Sequence, residues 1–446
     1  MIKVDNVSNL KNYETFRKTG LILLHRFLVE LLNCEVNIEE QPIEIFSQYI
    51  EVDFTENIKK YAYIIDENRV VLSVKVIEGD EIIALLPIYL VGKKIGCIAV
   101  NYLEQIGSAI TIVLTQCYNQ NFNGAERLFG EYLQDKVIYS CFAKHIYQTD
   151  RVSFLISYLK KLCLLTFENK EFTTGFILTR SIFDFNKEKF HARGGTIYNL
   201  KQPQDIFKFI KPDRRLWYLV DGETSFFLTN QQFKITNIYT ISSEKDARNY
   251  WDSYSLSKIL WGNDIVFRVV NHNQISIVNS DGIEFIAIEN SWKFRDYKVI
   301  KAIVQENSNL DEDTIDCMIY YVLQCAKNNE SSILWFPKDD SEEKLRSALI
   351  KCNSIVYETI DIKEEKNIEL VKRIISSDGV TIINAKGEII YSGCVVNLNK
   401  SIESKKMIGT GESAARLLAE NGLAIKVSQD GIIKMYYDID KPPFIF

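Results

Sequence analysis

The sequence predicts an α+β fold, in which a C-terminal mixed β-sheet flanked by helices follows a hairpin-rich α+β region. Short β-rich runs separated by turn residues alternate with stretches of helical periodicity over roughly the first 300 residues. After Asp311, predicted helices come first and are followed by strands that enclose one helix, which is typical of a mixed sheet. Apolar residues make up 46% of the chain and prolines number only 7, so a folded core is expected.

The first two thirds of the chain carry the hairpin pattern. Turn sequences such as Asp221-Gly222 and Asp281-Gly282 separate runs rich in β-branched residues. The predicted hairpin regions are 61–100, 216–241 and 265–288, and the predicted helices are roughly 11–33, 124–135, 151–166 and 246–260. A chain of 446 residues corresponds to two or three domains. The expected domains are 1–150, 151–305 and 306–446.

The C-terminal region predicts a definite order of elements. Asp313–Lys327 has apolar residues at helical spacing, and Ser332–Phe336 is a strand that Pro337 closes. Further helices are predicted at 342–350, 368–375 and 412–420. Further strands are predicted at 380–383, 388–391, 394–398, 423–428 and 432–436. The last two strands form a hairpin that turns at Gln429-Asp430-Gly431.

The composition excludes several classes of function. Lys plus Arg number 53 against 59 Asp plus Glu, so the chain lacks the basic excess of a nucleic-acid binder. No segment predicts a membrane span, and the N-terminus does not resemble a secretory signal. Nine cysteines without a C-x-x-C pair indicate neither a disulfide framework nor a zinc site. We therefore expect a reduced, cytoplasmic protein with no nucleic-acid or membrane partner.

One candidate for chemistry lies at the start of a predicted strand, in Ser377-Asp378-Gly379-Val380. A carboxylate at a strand entrance can hold a divalent cation or accept a proton from a hydroxyl group. The glycine that follows lets a ligand approach the backbone closely. Because Asp-Gly is common in turns, the pair alone favours a turn over a site.

A second candidate is the glycine-spaced segment Gly409–Ala415, which opens a predicted helix. Free N–H groups and the dipole at such a helix start favour phosphate. An ordinary N-cap by Thr410, with Glu412 in the first turn, explains the segment equally simply. Taken alone, this second explanation is the favoured one.

Together, the two motifs and the strand order resemble the diadenylate cyclase (DAC) domain family over about residues 313–436. The family joins two ATP molecules into cyclic di-AMP. Asp378-Gly379-Val380 matches its Asp-Gly-Ala motif, and Gly409–Ala415 stands where its Gly-Thr/Met-Arg-His-Arg motif opens a helix. Ser428 occupies the position of a Ser-Glu pair that the family usually has after the next strand. The resemblance implies a ligand site formed by Asp378, Gly379, Val380, Leu398, Gly409, Thr410, Gly411, Glu412, Ser413 and Ser428.

The chain departs from the family at the phosphate-binding positions, because Gly411-Glu412-Ser413 replaces Arg-His-Arg. Charge-assisted hydrogen bonds contribute ~1.5–3 kcal/mol each, so losing two weakens affinity by roughly two to four orders of magnitude. Glu412 adds a negative charge where a triphosphate would lie. The backbone donors and the Thr410 hydroxyl remain available for a less highly charged ligand.

Three hypotheses follow from this resemblance. The favoured one is a catalytically degenerate DAC-like sensor that binds a cyclic dinucleotide or an adenine nucleotide in prokaryotic signalling or defence. The second is an active diadenylate cyclase, in which Asp378 would be catalytic, would hold Mg²⁺ or Mn²⁺, and would require a homo-oligomer with two facing ATP sites. The third is an interaction scaffold without a ligand.

Overall fold

The computed structural model describes residues 20–38, 60–78, 81–119, 133–143, 149–168, 170–171, 173–179, 195–208, 214–241, 253–272, 274–288, 291–352, 360–398 and 409–446. The fold of these residues is α+β, as predicted. The chain divides into two compact units. The first unit comprises Met1–Thr240, Leu260–Ser280 and Glu284–Asp296, and the second comprises Ile241–Ile259, Asp281–Ile283 and Tyr297–Phe446. Most of 1–150 and 151–305 lies in the first unit, and the expected boundary at 150 stays a prediction.

Two sheets dominate the first unit. The smaller sheet has the order β1-β4-β3-β2 and comprises β1 (Glu35–Ile38), β2 (Ala62–Asp66), β3 (Arg69–Glu78) and β4 (Glu81–Val91). A separate two-stranded ribbon comprises β5 (Thr166–Phe167) and β6 (Lys170–Glu171). The larger sheet has the order β14-β13-β12-β11-β7-β9-β10-β8. Its strands are β7 (Thr174–Leu178), β8 (Gly195–Asp205), β9 (Ser225–Thr229), β10 (Lys234–Ile241), β11 (Ile265–Asn271), β12 (Gln274–Asn279), β13 (Ile283–Ile288) and β14 (Ser291–Asp296).

The helices of the first unit differ from the sequence prediction at one important place. They are α1 (Leu21–Leu32), α2 (Val100–Asn119), α3 (Leu133–Ala143), α4 (Thr149–Leu162) and α5 (Arg214–Trp217). Helix α2 was not predicted, because its run of β-branched residues resembles a strand. Tertiary contacts stabilise it, because Glu104 accepts hydrogen bonds from the backbone N–H groups of Tyr61 and Ala62 at 2.8 and 3.0 Å.

The second unit contains one mixed sheet, as predicted. Its order is β16-β19-β18-β15-β20-β21-β22, with β17 also paired to β19. The strands are β15 (Ser332–Pro337), β16 (Leu349–Lys351), β17 (Ile360–Asp361), β18 (Val380–Ile383), β19 (Glu388–Val396), β20 (Gly422–Val427), β21 (Ile433–Tyr436) and β22 (Phe444–Ile445). Only β15 and β18 run parallel among these described strands, and the other neighbours are antiparallel.

The helices of the second unit largely follow the predicted positions. They are α6 (Ser253–Ile259), α7 (Tyr297–Asn307), α8 (Glu312–Lys327), α9 (Glu342–Ala348), α10 (Ile368–Ile375) and α11 (Thr410–Leu418). The helix predicted at 412–420 therefore begins two residues earlier, at Thr410. The strands predicted at 388–391 and 394–398 are the single strand β19, since Gly393, at φ +58°, interrupts the sequence pattern but not the strand.

A hydrophobic core joins α11 to one face of the mixed sheet. Ala415 and Leu418 of α11 pack in one cluster with Ile333 and Trp335 of β15 and with Val380 of β18. These side chains are all at least nine-tenths buried. The start of α11 is therefore held at a fixed height over the sheet, which positions the candidate site.

Candidate functional site

The pairing of four strands brings several chain segments to one edge of the mixed sheet. Ile333 of β15 lies opposite Val380 of the parallel strand β18, so both strands begin at this edge. Val427 lies opposite Ser332, and Cys394 lies opposite Val380, so the antiparallel strands β20 and β19 end there. We call this edge, where β15 and β18 begin and β19 and β20 end, the site edge.

The start of α11 lies over the same edge. A Cβ atom placed on Gly411 would be 3.1 Å from Cε of Lys426 and 3.8 Å from Cδ1 of Ile333. Asp378 precedes β18 by two residues, Ser428 follows β20 directly, and Leu398 follows β19 by two residues. The site edge therefore contains all ten residues of the predicted ligand site. Their role in binding stays a prediction.

Asp378 and Gly379 differ in what surrounds them. The Asp378 side chain is exposed and has no hydrogen-bond partner among the described residues. Gly379 has φ +101°, and a Cβ atom there would lie 2.8 Å from the carbonyl carbon of Gly393 and 3.0 Å from the nitrogen of Cys394. Glycine is therefore required because the backbone of β19 approaches closely, whereas the sequence argument assigned that approach to a ligand.

Val380 and Leu398 face the interior of the second unit. Val380 is 2% exposed and belongs to the core beneath α11, and Leu398 is partly buried against the same core. The Val380 side chain thus packs in the core, which leaves its backbone as the part that can contact a ligand.

The first turn of α11 has no side-chain cap. The Gly409 carbonyl accepts hydrogen bonds from the N–H groups of Glu412 and Ser413 at 3.0 and 3.1 Å. The N–H groups of Thr410 and Gly411 have no partner among the described residues. A Cβ atom placed on Gly409 would have no described atom within 4 Å. The N-cap residue is Gly409, so the alternative of an N-cap by Thr410 is wrong, and no described side chain caps the helix start.

Glu412 is held by the last hairpin of the chain. Its Oε2 atom lies 2.9 Å from Nζ of Lys434, and its side chain is 26% exposed. Burial works to raise the pKa of Glu412, but the hydrogen bond and the charge of Lys434 outweigh it and hold the pKa below its ordinary value. The carboxylate is therefore charged and paired, and it opposes a bound anion less than an isolated Glu412 would.

Two lysines of the β20–β21 hairpin flank the helix start. Lys426 and Lys434 lie directly opposite each other on these strands. The Lys426 Nζ atom donates to the Ser331 hydroxyl and to the Val427 carbonyl, the latter at 2.8 Å. Burial lowers the pKa of Lys426, while the charge of Asp430 works to raise it.

The lysines change the charge expected at this site. With Arg416, which interacts electrostatically with Glu412, three cationic side chains of the described residues lie near the start of α11, together with the carboxylates of Glu412 and of Asp430, which acts on Lys426. Neither Lys426 nor Lys434 was among the residues predicted from the sequence. The predicted hairpin was sufficient to find them, because its turn at 429–431 sets the strand register, and that register places the two lysines opposite each other.

A divalent metal fits the site edge only in part. Within the described ranges, no group of three or more His, Cys, Asp or Glu side chains could hold a metal ion. Mg²⁺ in nucleotide enzymes is usually bound by one or two carboxylates together with substrate phosphates and water. Asp378 can therefore be a ligand only if the remaining positions come from a bound nucleotide and from water.

Comparisons with known proteins leave the family of this chain open. No protein-family model matches it. No curated protein matches it either. The crystal structure of a hypothetical membrane spanning protein from Bacillus cereus is 16% identical, with 32% of this chain and 68% of that chain covered and a TM-score of 0.26. That of a double mutant of DacA from Staphylococcus aureus is 20% identical, with 30% and 86% covered and a TM-score of 0.24.

None of the helices in the described part of the chain combines the length and the apolar character that crossing a bilayer requires.

Proposed function

We propose that the second unit is a catalytically degenerate DAC-like sensor that binds a cyclic dinucleotide or an adenine nucleotide at the site edge. The observation that supports this most is the start of α11 beside Lys426, where the N–H groups of Thr410 and Gly411 have no partner among the described residues. The same edge holds Asp378 and Ser428. Amide N–H groups at a helix start and nearby ammonium groups are the donors that bind phosphate oxygens.

The lysines give this proposal a specific form. In the DAC-like pattern the cations come from the helix itself, and Gly411-Glu412-Ser413 lacks them. Lys426 and Lys434 reach the same helix start from the neighbouring hairpin. Because Lys434 is engaged by Glu412, a ligand with one or two phosphodiester charges suits the site better than a triphosphate.

Calorimetry with the full chain tests the proposal. The ligands are cyclic di-AMP, other cyclic dinucleotides, ATP and adenosine derivatives. Lys426→Met should weaken binding by roughly tenfold or more, because a charge-assisted hydrogen bond is worth ~1.5–3 kcal/mol. Glu412→Gln should strengthen the binding of an anion by releasing Lys434. Lys366→Met, an exposed lysine of the second unit outside the site edge, is the matched control. Absence of binding to every ligand would remove the proposal.

The alternative is an active diadenylate cyclase that converts two ATP molecules into cyclic di-AMP with Mg²⁺ or Mn²⁺. The exposed carboxylate of Asp378, which has no partner among the described residues, favours it, because such a group is available for a metal ion or for a 3′-hydroxyl. Incubation with ATP and either metal, followed by chromatography, tests it. If cyclic di-AMP forms and Asp378→Asn abolishes its formation, the chain is an active cyclase and the proposal of a degenerate sensor is wrong.

A further inference from the structure

Two cysteines, Cys352 after β16 and Cys394 of β19, lie opposite each other near the site edge. In the antiparallel pair of β16 and β19, Leu349 is opposite Val396 and Lys351 is opposite Val395. Ile350 is therefore an extra residue, a β-bulge, and it is 63% exposed. The bulge shifts the register by one residue, so that Cys352, which follows β16, faces Cys394. Without the bulge Cys352 would face Gly393.

The side chains of this pair pack in one core. Cys394 is 1% exposed in the core beneath α11, and the partly buried Cys352 packs against the same core. The Cys394 thiol donates a hydrogen bond to the Ser392 carbonyl at 3.8 Å, and the nearby Cys352 thiol interacts with it electrostatically. Both are free thiols in the structure. Opposed residues of antiparallel strands have Cα atoms about 4.5–5.5 Å apart, which lies within the range that disulfides span.

The pair also adjoins the predicted Asp378-Gly379 motif. Cys394 is the register partner of Val380, and a Cβ atom on Gly379 would lie 2.9 Å from the Cys394 carbonyl oxygen. A covalent change at Cys394 therefore acts on the backbone that packs against Gly379.

We propose that Cys352 and Cys394 are a redox-active dithiol, which a peroxide closes to a disulfide between β16 and β19 beside Asp378. Cys352, the more accessible thiol, attacks one peroxide oxygen and becomes a sulfenic acid as water leaves. The Cys394 sulfur then attacks the Cys352 sulfur and displaces a second water. The two thiols lose two electrons and two protons, and hydrogen peroxide is reduced to two molecules of water.

The order of attack follows from the environment of each thiol. Burial raises the pKa of the Cys394 thiol, and the neighbouring Cys352 thiol raises it further, so Cys394 is a poor first nucleophile. Transient disulfides in otherwise reduced proteins are typically regulatory. An effect of this disulfide on ligand affinity rests on the proposed function, whereas its formation does not.

Peptide mass spectrometry of the full chain tests the proposal. The reduced protein is treated with hydrogen peroxide, denatured, alkylated and digested. We expect loss of both thiols, with the Cys352 and Cys394 peptides joined and two hydrogen atoms lighter, and recovery of both thiols after dithiothreitol. Cys317, a buried cysteine of α8, should remain alkylatable. Unlinked Cys352 and Cys394 after peroxide, or a link from either one to another cysteine, would overturn the proposal.

Two further measurements separate this proposal from the proposed function. Cys352→Ser should abolish the link and leave Cys394 alkylatable, and the wild-type result stands even if this variant fails to fold. Calorimetry then compares the reduced and oxidised chains with cyclic di-AMP. A changed affinity supports coupling to the site edge, and an unchanged affinity overturns that coupling. A disulfide that forms in a chain that binds none of the nucleotides would contradict only the proposed function.

Discussion

Two carboxylates, one in each unit, are paired with cations in very different surroundings. Glu284 in the first unit is fully buried, with Oε2 at 3.1 Å from Nη1 of Arg295 and Oε1 at 3.8 Å from Nη2 of Arg268. Ser276 donates a hydrogen bond to the same carboxylate. Glu412 in the second unit is paired with Lys434 at 2.9 Å, and both side chains are about one quarter exposed.

The comparison shows that burial decides whether an ion pair is fixed within the fold or remains accessible to solvent. Removing one partner of a buried ion pair leaves a charge without compensation or solvent, which is strongly destabilising. Removing one partner of a partly exposed pair costs little, because water solvates the remaining charge. The arginines around Glu284 are thus fixed within the fold, while the lysine paired with Glu412 remains accessible to solvent.

The largest expected effect follows from removing the buried charge. Glu284→Gln should lower the free energy of unfolding by about 3–5 kcal/mol, because Arg268 and Arg295 would remain buried without their counter-charge. Urea unfolding followed by tryptophan fluorescence measures this change. Glu67→Gln, which removes the exposed partner of Lys94 in the same unit, should cost less than about 1 kcal/mol. Equal losses in the two variants would contradict the distinction drawn from burial.

A smaller but still clear effect is expected from the backbone of the site edge. Gly379→Ala should destabilise the second unit by about 2–3 kcal/mol, because φ +101° is unfavourable for alanine and the new Cβ atom would overlap β19. Gly409→Ala is the control, since its Cβ atom meets open space, and we expect a loss below about 1 kcal/mol. If both variants are equally stable in thermal unfolding, the close approach of β19 does not constrain Gly379.

Local patterns predicted much of the second unit. The helix at Ile368–Ile375 and the strand at Val380–Ile383 have the predicted bounds, because apolar periodicity and turn residues mark them within the segment itself. The order of helices and strands was also enough to predict a mixed sheet. The strand register that joins the ten predicted residues at one edge was implied only through the family resemblance.

Features that depend on pairing between distant segments were not predictable in the same way. Lys426 and Lys434 become neighbours only through the hairpin register, and Cys352 faces Cys394 only because of the bulge at Ile350. Helix α2 was missed because β-branched residues favour a strand locally, whereas its contacts to Tyr61 and Ala62 favour the helix.

The smallest expected effect is a pH-dependent one at Glu412. The hydrogen bond and the charge of Lys434 lower the pKa of Glu412 in the folded chain despite its burial. A carboxyl group with a lowered folded pKa contributes stability above its unfolded pKa of roughly 4.3, and this contribution disappears as the pH falls through the folded pKa. Glu412→Gln should therefore reduce the free energy of unfolding by up to about 1 kcal/mol near neutral pH.

The same difference between wild type and Glu412→Gln should shrink toward zero as the pH falls below the unfolded pKa. It should also shrink with added salt, because solvent ions screen a partly exposed pair. Urea unfolding across this pH range measures the difference, with Glu420→Gln as an exposed control on the same segment. If the free energies of unfolding of wild type and Glu412→Gln still differ by several kcal/mol in acid, Glu412 is a structural charge like Glu284. Lys434 would then be unavailable to a ligand.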